Sequence, residues 1–172
     1  MEPDPVPCSA NDVAARVRRE LAAIADVVVR EALRSRIMSP ERHLRHWDHG
    51  APGERHPCWT VAADPGSDSA IVYSEHGFGP ASPWGIVSLS KPWFGMDSGW
   101  FPRLEDAFVD SFLAAELPIR DVVAEGAAGT VRRVASSLPM DEAFAMRDAL
   151  ASRDPQGRYH VVYRSRPAGS FP

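Results

Sequence analysis

Histidines form the densest group of residues suited to acid–base or metal chemistry. Four of the six histidines fall within 14 residues, with Asp48 among them: His43, His46, His49 and His56. Imidazole nitrogens bind transition metals and exchange protons near neutral pH. On a helix, His43 and His46 would share a face and His49 would lie one step further round. These three residues are therefore the candidate metal ligands.

The surrounding residues favour a simpler interpretation of this segment. It lacks the order His-Glu-x-x-His, in which a glutamate between two ligands supplies the base of zinc proteases. Arg42, Arg45 and Arg55 are interleaved with the histidines, which is typical of a solvated polar face. The sequence thus predicts no metal and no other cofactor, and the histidine site is kept as an alternative.

A second group could support hydrolysis. Glu75 and His76 follow a predicted strand, where catalytic side chains are often presented, and Asp97 and Ser98 lie in a later glycine-rich loop. That loop differs from the nucleophile segment of trypsin-like serine proteases, because residues 96 and 100 are not glycine. The alternative function is accordingly a small hydrolase-like enzyme, with or without a metal, that uses these four side chains.

Aromatic residues are concentrated between Tyr73 and Phe112, among glycines and prolines. Short loops rarely bury several large rings, and aromatic side chains beside acids are typical of protein-binding hot spots. We predict a partner-binding surface in this region formed by Trp84, Trp93, Phe94, Asp97, Trp100 and Phe101.

The distribution of charge indicates the kind of partner. The chain has a net charge of −4, but residues 57–129 carry three basic and ten acidic residues, a net −7. An acidic field favours a basic protein partner and disfavours the phosphate backbone of nucleic acids. No apolar run approaches the length of a membrane span, and the N-terminus lacks the pattern of a secretory signal. The expected location is the cytoplasm, with no membrane or nucleic-acid partner.

Hydrophobic periodicity predicts the fold class. With 172 residues, the chain suits one α+β domain over residues 9–166, with a disordered tail at 1–8 and a frayed one at 167–172. The expected architecture is a mixed, mostly antiparallel sheet of about four to six strands, helices packed on one face, and an N-terminal helical arm.

The predicted elements begin with a long helix from Ser9 or Asn11 to about Arg36 and a short helix that starts at Ser39 and Pro40. A β-hairpin follows over 58–73 and a strand over 85–90. A helix from about Pro102 is expected to bury Leu104, Phe108 and Phe112. The last elements are a strand over 131–136, a helix opened by Pro139 and a strand over 159–164, and this succession suggests a parallel pair of strands.

These patterns favour binding over catalysis. The preferred function is a small acidic inhibitor, immunity-type or adaptor protein that meets a basic partner through the 75–106 region. Besides the hydrolase, a third hypothesis is a structural subunit of a larger assembly that uses the N-terminal helix as its contact.

Overall fold

The computed structural model describes residues 8–79, 81–126 and 130–164. These residues form two compact units, the first ending at Leu113 and the second beginning at Ala114. The helices are α1 (Ala10–Ala23), α2 (Val27–Arg34), α3 (Leu104–Asp110) and α4 (Met140–Arg153). The strands are β1 (Ile37–His46), β2 (Arg55–Asp64), β3 (Ser69–Tyr73), β4 (Trp84–Ser88), β5 (Trp100–Phe101), β6 (Arg120–Glu125), β7 (Val131–Leu138) and β8 (Arg158–Tyr163). The predicted α+β class and N-terminal helix are confirmed.

The first unit contains a five-stranded antiparallel sheet in the order β1-β2-β3-β4-β5. The predicted hairpin is present as β2 and β3, and places Trp59 opposite Tyr73. Every residue of β3 is buried, as expected for the central strand of a sheet covered on both faces. Strand β1 forms one edge, and most of its side chains are exposed.

The N-terminal helical segment is two helices, not one. Ser9 caps α1 as predicted, in a reciprocal capping box with Asp12. The helix ends at Ile24, and the carboxylate of Asp26 then accepts hydrogen bonds from the backbone N–H groups of Val28 and Val29 to start α2. The new start rotates the second helix, so Val29 is buried while Val28 is exposed.

The short helix predicted at Ser39 is wrong, because residues 37–46 form β1. Pairing with β2 determines the conformation here, although Ser39 and Pro40 are typical of a helix start. The register of β1 shifts between Ile37 and Glu41, so Pro40 lies at an irregularity of an edge strand, where its missing N–H costs little.

The second unit holds a three-stranded sheet in the order β7-β6-β8. Strands β7 and β8 both pair antiparallel with β6. The predicted succession of strand, helix and strand is therefore present, but the two outer strands are separated by β6 and are not a parallel pair. Residues 120–125, whose sequence suits either a strand or the edge of a helix, form this central strand.

Helix α3 is shorter than expected and ends before Phe112. Leu104 and Phe108 are fully buried as predicted, whereas Phe112 lies beyond the last residue of the helix and is 61% exposed. In α4 only Ala143 is buried, and Phe144 and Met146 are exposed. The sequence located both helices, but the buried face of α3 is shorter than predicted.

None of the helices in the described ranges is long and apolar enough to cross a membrane. Both cysteines, Cys8 and Cys58, are free thiols. Cys58 lies in the core, and burial raises the pKa of its thiol to about 12. The predicted tails fall outside the described residues except for Cys8, which is half-buried.

Candidate functional site

A loop after β4 is fixed by a buried arginine. We call residues 89–96 the anchored loop. Arg45 is 5% exposed, and its Nη1 atom donates to the carbonyl oxygens of Ser88, Lys91 and Trp93 at 3.0, 2.6 and 3.3 Å. Burial lowers the pKa of its guanidinium, although arginine remains charged in proteins. One buried charge thus shapes most of the loop.

Asp68 holds the beginning of the anchored loop. Its carboxylate accepts hydrogen bonds from the hydroxyls of Ser88 and Ser90 at 2.6 and 2.7 Å, and from the N–H of Ser90 at 2.8 Å. Its carbonyl oxygen accepts from the N–H of Leu89 at 3.1 Å. Asp68 has a left-handed backbone with φ of 51°, which aspartate tolerates better than most residues. The turn before β3 is therefore tied to the end of β4.

The end of the loop is attached to β1 and to the core. The N–H of His46 donates to Pro92 O at 2.7 Å, and Phe94 N–H donates to His46 O at 2.9 Å. The Phe94 ring is fully buried and stacks on Trp100 with centroids 5.1 Å apart. Trp100 Nε1 donates to Phe94 O at 2.9 Å. Phe94 therefore anchors the loop in the core.

The fixed loop presents large apolar side chains to solvent. Trp93 is 45% exposed and Met96 is 74% exposed, and Leu89 is also exposed. The His46 ring lies 4.9 Å from the Trp93 ring, and the exposed Leu44 lies two residues earlier on β1. Because side chains alternate along a strand, Leu44 and His46 share a face. A rigid, partly apolar surface results.

The carboxylate of Asp68 should make stability depend on acid pH. Hydrogen bonds from the Ser88 and then the Ser90 side chain lower its pKa. Its contribution is therefore present above the unfolded pKa of about 4 and is lost as pH falls through the lower folded pKa. Asp68→Asn keeps the backbone preference, so we expect its Tm deficit to shrink between about pH 5 and pH 2.

Thermal unfolding of both proteins at several pH values checks this expectation. Ser90→Ala should reproduce part of the deficit, whereas Ser98→Ala, a matched loss of an exposed hydroxyl, should reproduce none. A deficit that stays constant down to pH 2 would contradict a role for the charge of Asp68.

The predicted partner-binding residues separate into two groups. Trp84, Phe94 and Trp100 are buried, so the expectation that this group forms an exposed surface is wrong for them. Trp93 and Asp97 are exposed, and Phe101 is intermediate. The buried rings pack within the fold: Trp84 lies on β4 with its ring 5.1 Å from the Tyr73 ring, and Phe94 stacks on Trp100.

The histidines do not converge on one site. His43 and His46 lie on a strand, three residues apart, and so point to opposite faces. His43 Nε2 lies 3.6 Å from Glu41, and His46 Nε2 accepts from Arg55 Nε at 3.1 Å. His49 packs edge-on against aromatic rings. Among the described residues, no three His, Cys, Asp or Glu side chains are placed to hold a metal ion.

In the described part of the chain, no hydrogen bond joins Glu75 or His76 of the hydrolase alternative to Asp97 or Ser98. The His76 ring stacks on His56 with centroids 4.9 Å apart and an interplanar angle of 8°. Within the described part of the chain, that ring makes no hydrogen bond to a carboxylate or hydroxyl. Glu75 accepts a hydrogen bond from Tyr73, and Asp97 accepts one from the N–H of Ser98. No pair of base and nucleophile is assembled among them.

The acidic block of the sequence is divided between the two units. Three of its acids, Glu116, Asp121 and Glu125, lie in the second unit. Arg133 approaches Asp121 at 2.8 Å, and Arg158 approaches Glu125 at 3.8 Å. The first unit as a whole has 11 basic and 16 acidic residues, a net −5, and the second has 8 and 7, a net +1. The negative charge therefore belongs to the unit that carries the anchored loop.

Comparison of the chain with protein-family models, with curated proteins and with solved structures found no match.

Three residues of the site were missed by the sequence interpretation: Arg45, Asp68 and Met96. Arg45 was assigned to a polar helix face, and only the strand conformation of β1 turns it inward. Asp68 stands in a segment rich in turn residues, and its hydrogen bonds to serines 20 and 22 residues later leave no local sequence pattern. Met96 follows a glycine with φ of 76°. That glycine was the one sequence feature that could have indicated a turn here, with the next side chain projecting into solvent.

Proposed function

We propose that this chain is a small cytoplasmic protein-binding domain, of the inhibitor, immunity-type or adaptor kind, that meets a basic protein partner through the anchored loop. Binding requires no catalytic step from the domain itself. The two free thiols support a reducing compartment.

One observation carries this proposal: exposed Trp93 and Met96 project from a loop whose backbone is fixed by Arg45, Asp68 and β1. Large apolar side chains at the centre of an interface provide most of its binding energy. A loop that is already ordered loses little conformational entropy on association. The arrangement therefore has the two properties expected of an interface anchor.

Charge supports the choice of a basic partner. The net −5 of the first unit would accelerate encounter with a positively charged protein and slow encounter with an acidic one. Close to the loop the charges are mixed, since Asp97 and Lys91 are both exposed. Electrostatics would therefore act mainly on the association rate, and the apolar anchors mainly on the dissociation rate.

Trp93→Ala should weaken partner binding by about tenfold or more, because hot-spot aromatics contribute about 2 kcal/mol. Its effect on stability should stay within about 0.5 kcal/mol, as for other exposed positions. Asp97→Ala should give a smaller loss that disappears at high salt. The measurement is quantitative capture from extracts of the source cell, identification of the retained protein, and titration of that purified protein against each variant.

Phe112→Ala is the matched control, since Phe112 is an exposed aromatic of the same unit outside the loop. It should leave affinity unchanged. A partner that binds wild type and the Trp93→Ala, Asp97→Ala double variant equally would refute the assigned surface.

A further inference from the structure

A polar cavity of about 290 Å³ lies in the first unit, between α1 and the residues that end and follow β3. It shares no residue with the anchored loop, so it is independent of the proposed function. Its volume is close to the smallest typical of small-molecule sites. Its charged and polar lining residues are Asp12, Arg16, Arg19, Tyr73 and Glu75.

Part of the cavity wall is held by a chain of hydrogen bonds. Arg16 Nη1 donates to the Tyr73 hydroxyl at 3.1 Å, which donates to Glu75 Oε1 at 3.0 Å. Arg16 Nε also pairs with Glu20 at 3.1 Å, and the second oxygen of Glu20 accepts from Leu104 N–H at 2.8 Å. These bonds fix the Arg16 guanidinium and one oxygen of Glu75 before any ligand arrives.

The cavity contains no activated nucleophile. Burial, followed by the hydrogen bond to Glu75, raises the pKa of Tyr73 to about 12. Burial also raises the pKa of the Cys8 thiol at the cavity wall, and the nearby Glu75 carboxylate adds to the effect. Both groups are therefore neutral at physiological pH, so the cavity is suited to reversible binding.

Two opposite charges at the cavity remain available. In the described ranges, Arg19 makes no hydrogen bond or ion pair, and Glu75 Oε2 accepts no hydrogen bond. Asp12 is held at the start of α1, where its Oδ2 atom accepts hydrogen bonds from the N–H and the hydroxyl of Ser9 in the capping box. A simple anion would meet two carboxylates here and a simple cation would meet two guanidinium groups. A ligand that carries one negative and one positive group can pair with a guanidinium group and a carboxylate of the cavity at the same time.

We propose that this cavity binds a free α-amino acid, whose carboxylate pairs with Arg19 and whose ammonium group pairs with the second oxygen of Glu75. Charge-assisted hydrogen bonds of this kind are the strongest available to a small polar ligand. The Tyr73 hydroxyl, with its partners already fixed, keeps Glu75 in position for the ammonium group.

Isothermal titration at pH 7 with each proteinogenic amino acid tests the proposal. At least one should bind with a Kd below about 1 mM, while acetate and methylamine, which each carry one of the two charges, should not bind at the same concentration. Failure of every amino acid to bind at about ten times that concentration would overturn the proposal. Binding of acetate or methylamine as tightly as an amino acid would also overturn it.

Variants locate the bound ligand. Arg19→Gln and Glu75→Gln should each weaken binding by about tenfold or more, since each removes one charge-assisted contact. Arg18→Gln is the matched control, because Arg18 is exposed on α1 and does not line the cavity. Circular dichroism of each variant confirms folding. Unchanged affinity in both Arg19→Gln and Glu75→Gln would place the ligand elsewhere and reject this site.

Discussion

Arg45→Ala should lower the free energy of unfolding by about 3 kcal/mol, because hydrogen bonds from charged groups contribute about 1.5–3 kcal/mol and carbonyl groups left without partners add a cost. The substitution removes the donor shared by Ser88, Lys91 and Trp93. The anchored loop would lose its backbone order, so partner binding should weaken as well. The expected result is thus a joint loss of stability and affinity from a residue that is itself 5% exposed.

Urea unfolding followed by tryptophan fluorescence measures the effect, since all five tryptophans lie in the first unit. Hydrogen exchange at Phe94, whose N–H bonds to His46, reports on the loop directly and should accelerate. Arg42→Ala is the matched control, because Arg42 is exposed on the same strand; it should change stability by less than about 0.5 kcal/mol.

Arg45→Met separates the charge from the packing of the side chain. It retains most of the apolar volume but no donor, so it should be nearly as destabilising as the alanine variant. Wild-type stability in Arg45→Met would show that the carbonyl contacts of the guanidinium contribute nothing net, as happens when the cost of burying a charge cancels its hydrogen bonds.

The role of Arg45 illustrates which part of the site the sequence could not predict. Strand β1 contains three apolar residues, Ile37, Met38 and Leu44. So few are sufficient because an edge strand with one exposed face buries only a few of its side chains. Local signals at Ser39 and Pro40 therefore favoured a helix, and pairing with β2 overrode them. Once the strand is known, alternation places Arg45 opposite to Leu44 and towards the core, but the acceptors come from residues 88–93, far away in sequence.

Elements with strong periodicity were predictable from local sequence. The β2–β3 hairpin, β4 and the last two strands lie close to their expected positions because apolar and β-branched residues bounded by turn residues encode them directly. The division of the strands into two sheets was not predictable in the same way. It depends on β6, whose segment was ambiguous, and on which strand pairs with it.

The aromatic residues between Tyr73 and Phe112 show that burial was also only partly predictable from the sequence. Composition located the loop and its exposed Trp93, but it could not assign Phe94 and Trp100 to the core. A usable signal was Gly85, since glycine inside a strand often marks close approach of a neighbouring group. In the structure Gly85 pairs with Trp100 across β4 and β5, and a Cβ added there would lie 2.7 Å from the indole ring.

Trp100→Ala should lower the free energy of unfolding by about 3–5 kcal/mol, the range for deletion of a large buried aromatic side chain. The indole stacks on Phe94, packs 5.7 Å from the Phe78 ring, and donates to Phe94 O. Trp100→Phe keeps most of the ring contacts and loses the donor, so it should cost about 1–2 kcal/mol. Gly85→Ala should cost about 1–3 kcal/mol through overlap with the indole.

The contact between Gly85 and Trp100 gives this prediction an internal check. If overlap with the ring is the cause, Gly85→Ala should cost less in the Trp100→Ala background, because the added methyl enters the vacated space. Strictly additive effects would contradict the direct contact. Urea unfolding of wild type, the two single variants and the double variant gives the free energies for this double-mutant cycle.

Trp93 and Trp100 together distinguish an anchored binding loop from a loop that only closes the core. Trp93→Ala should impair binding and leave stability unchanged, whereas Trp100→Phe should reduce stability and, at temperatures where the protein stays folded, leave affinity within about threefold of wild type. The opposite pattern would mean that the exposed indole stabilises the fold and that partners bind elsewhere. Because both residues are tryptophans seven positions apart in one segment, the comparison contrasts an exposed indole with a buried one in the same part of the chain.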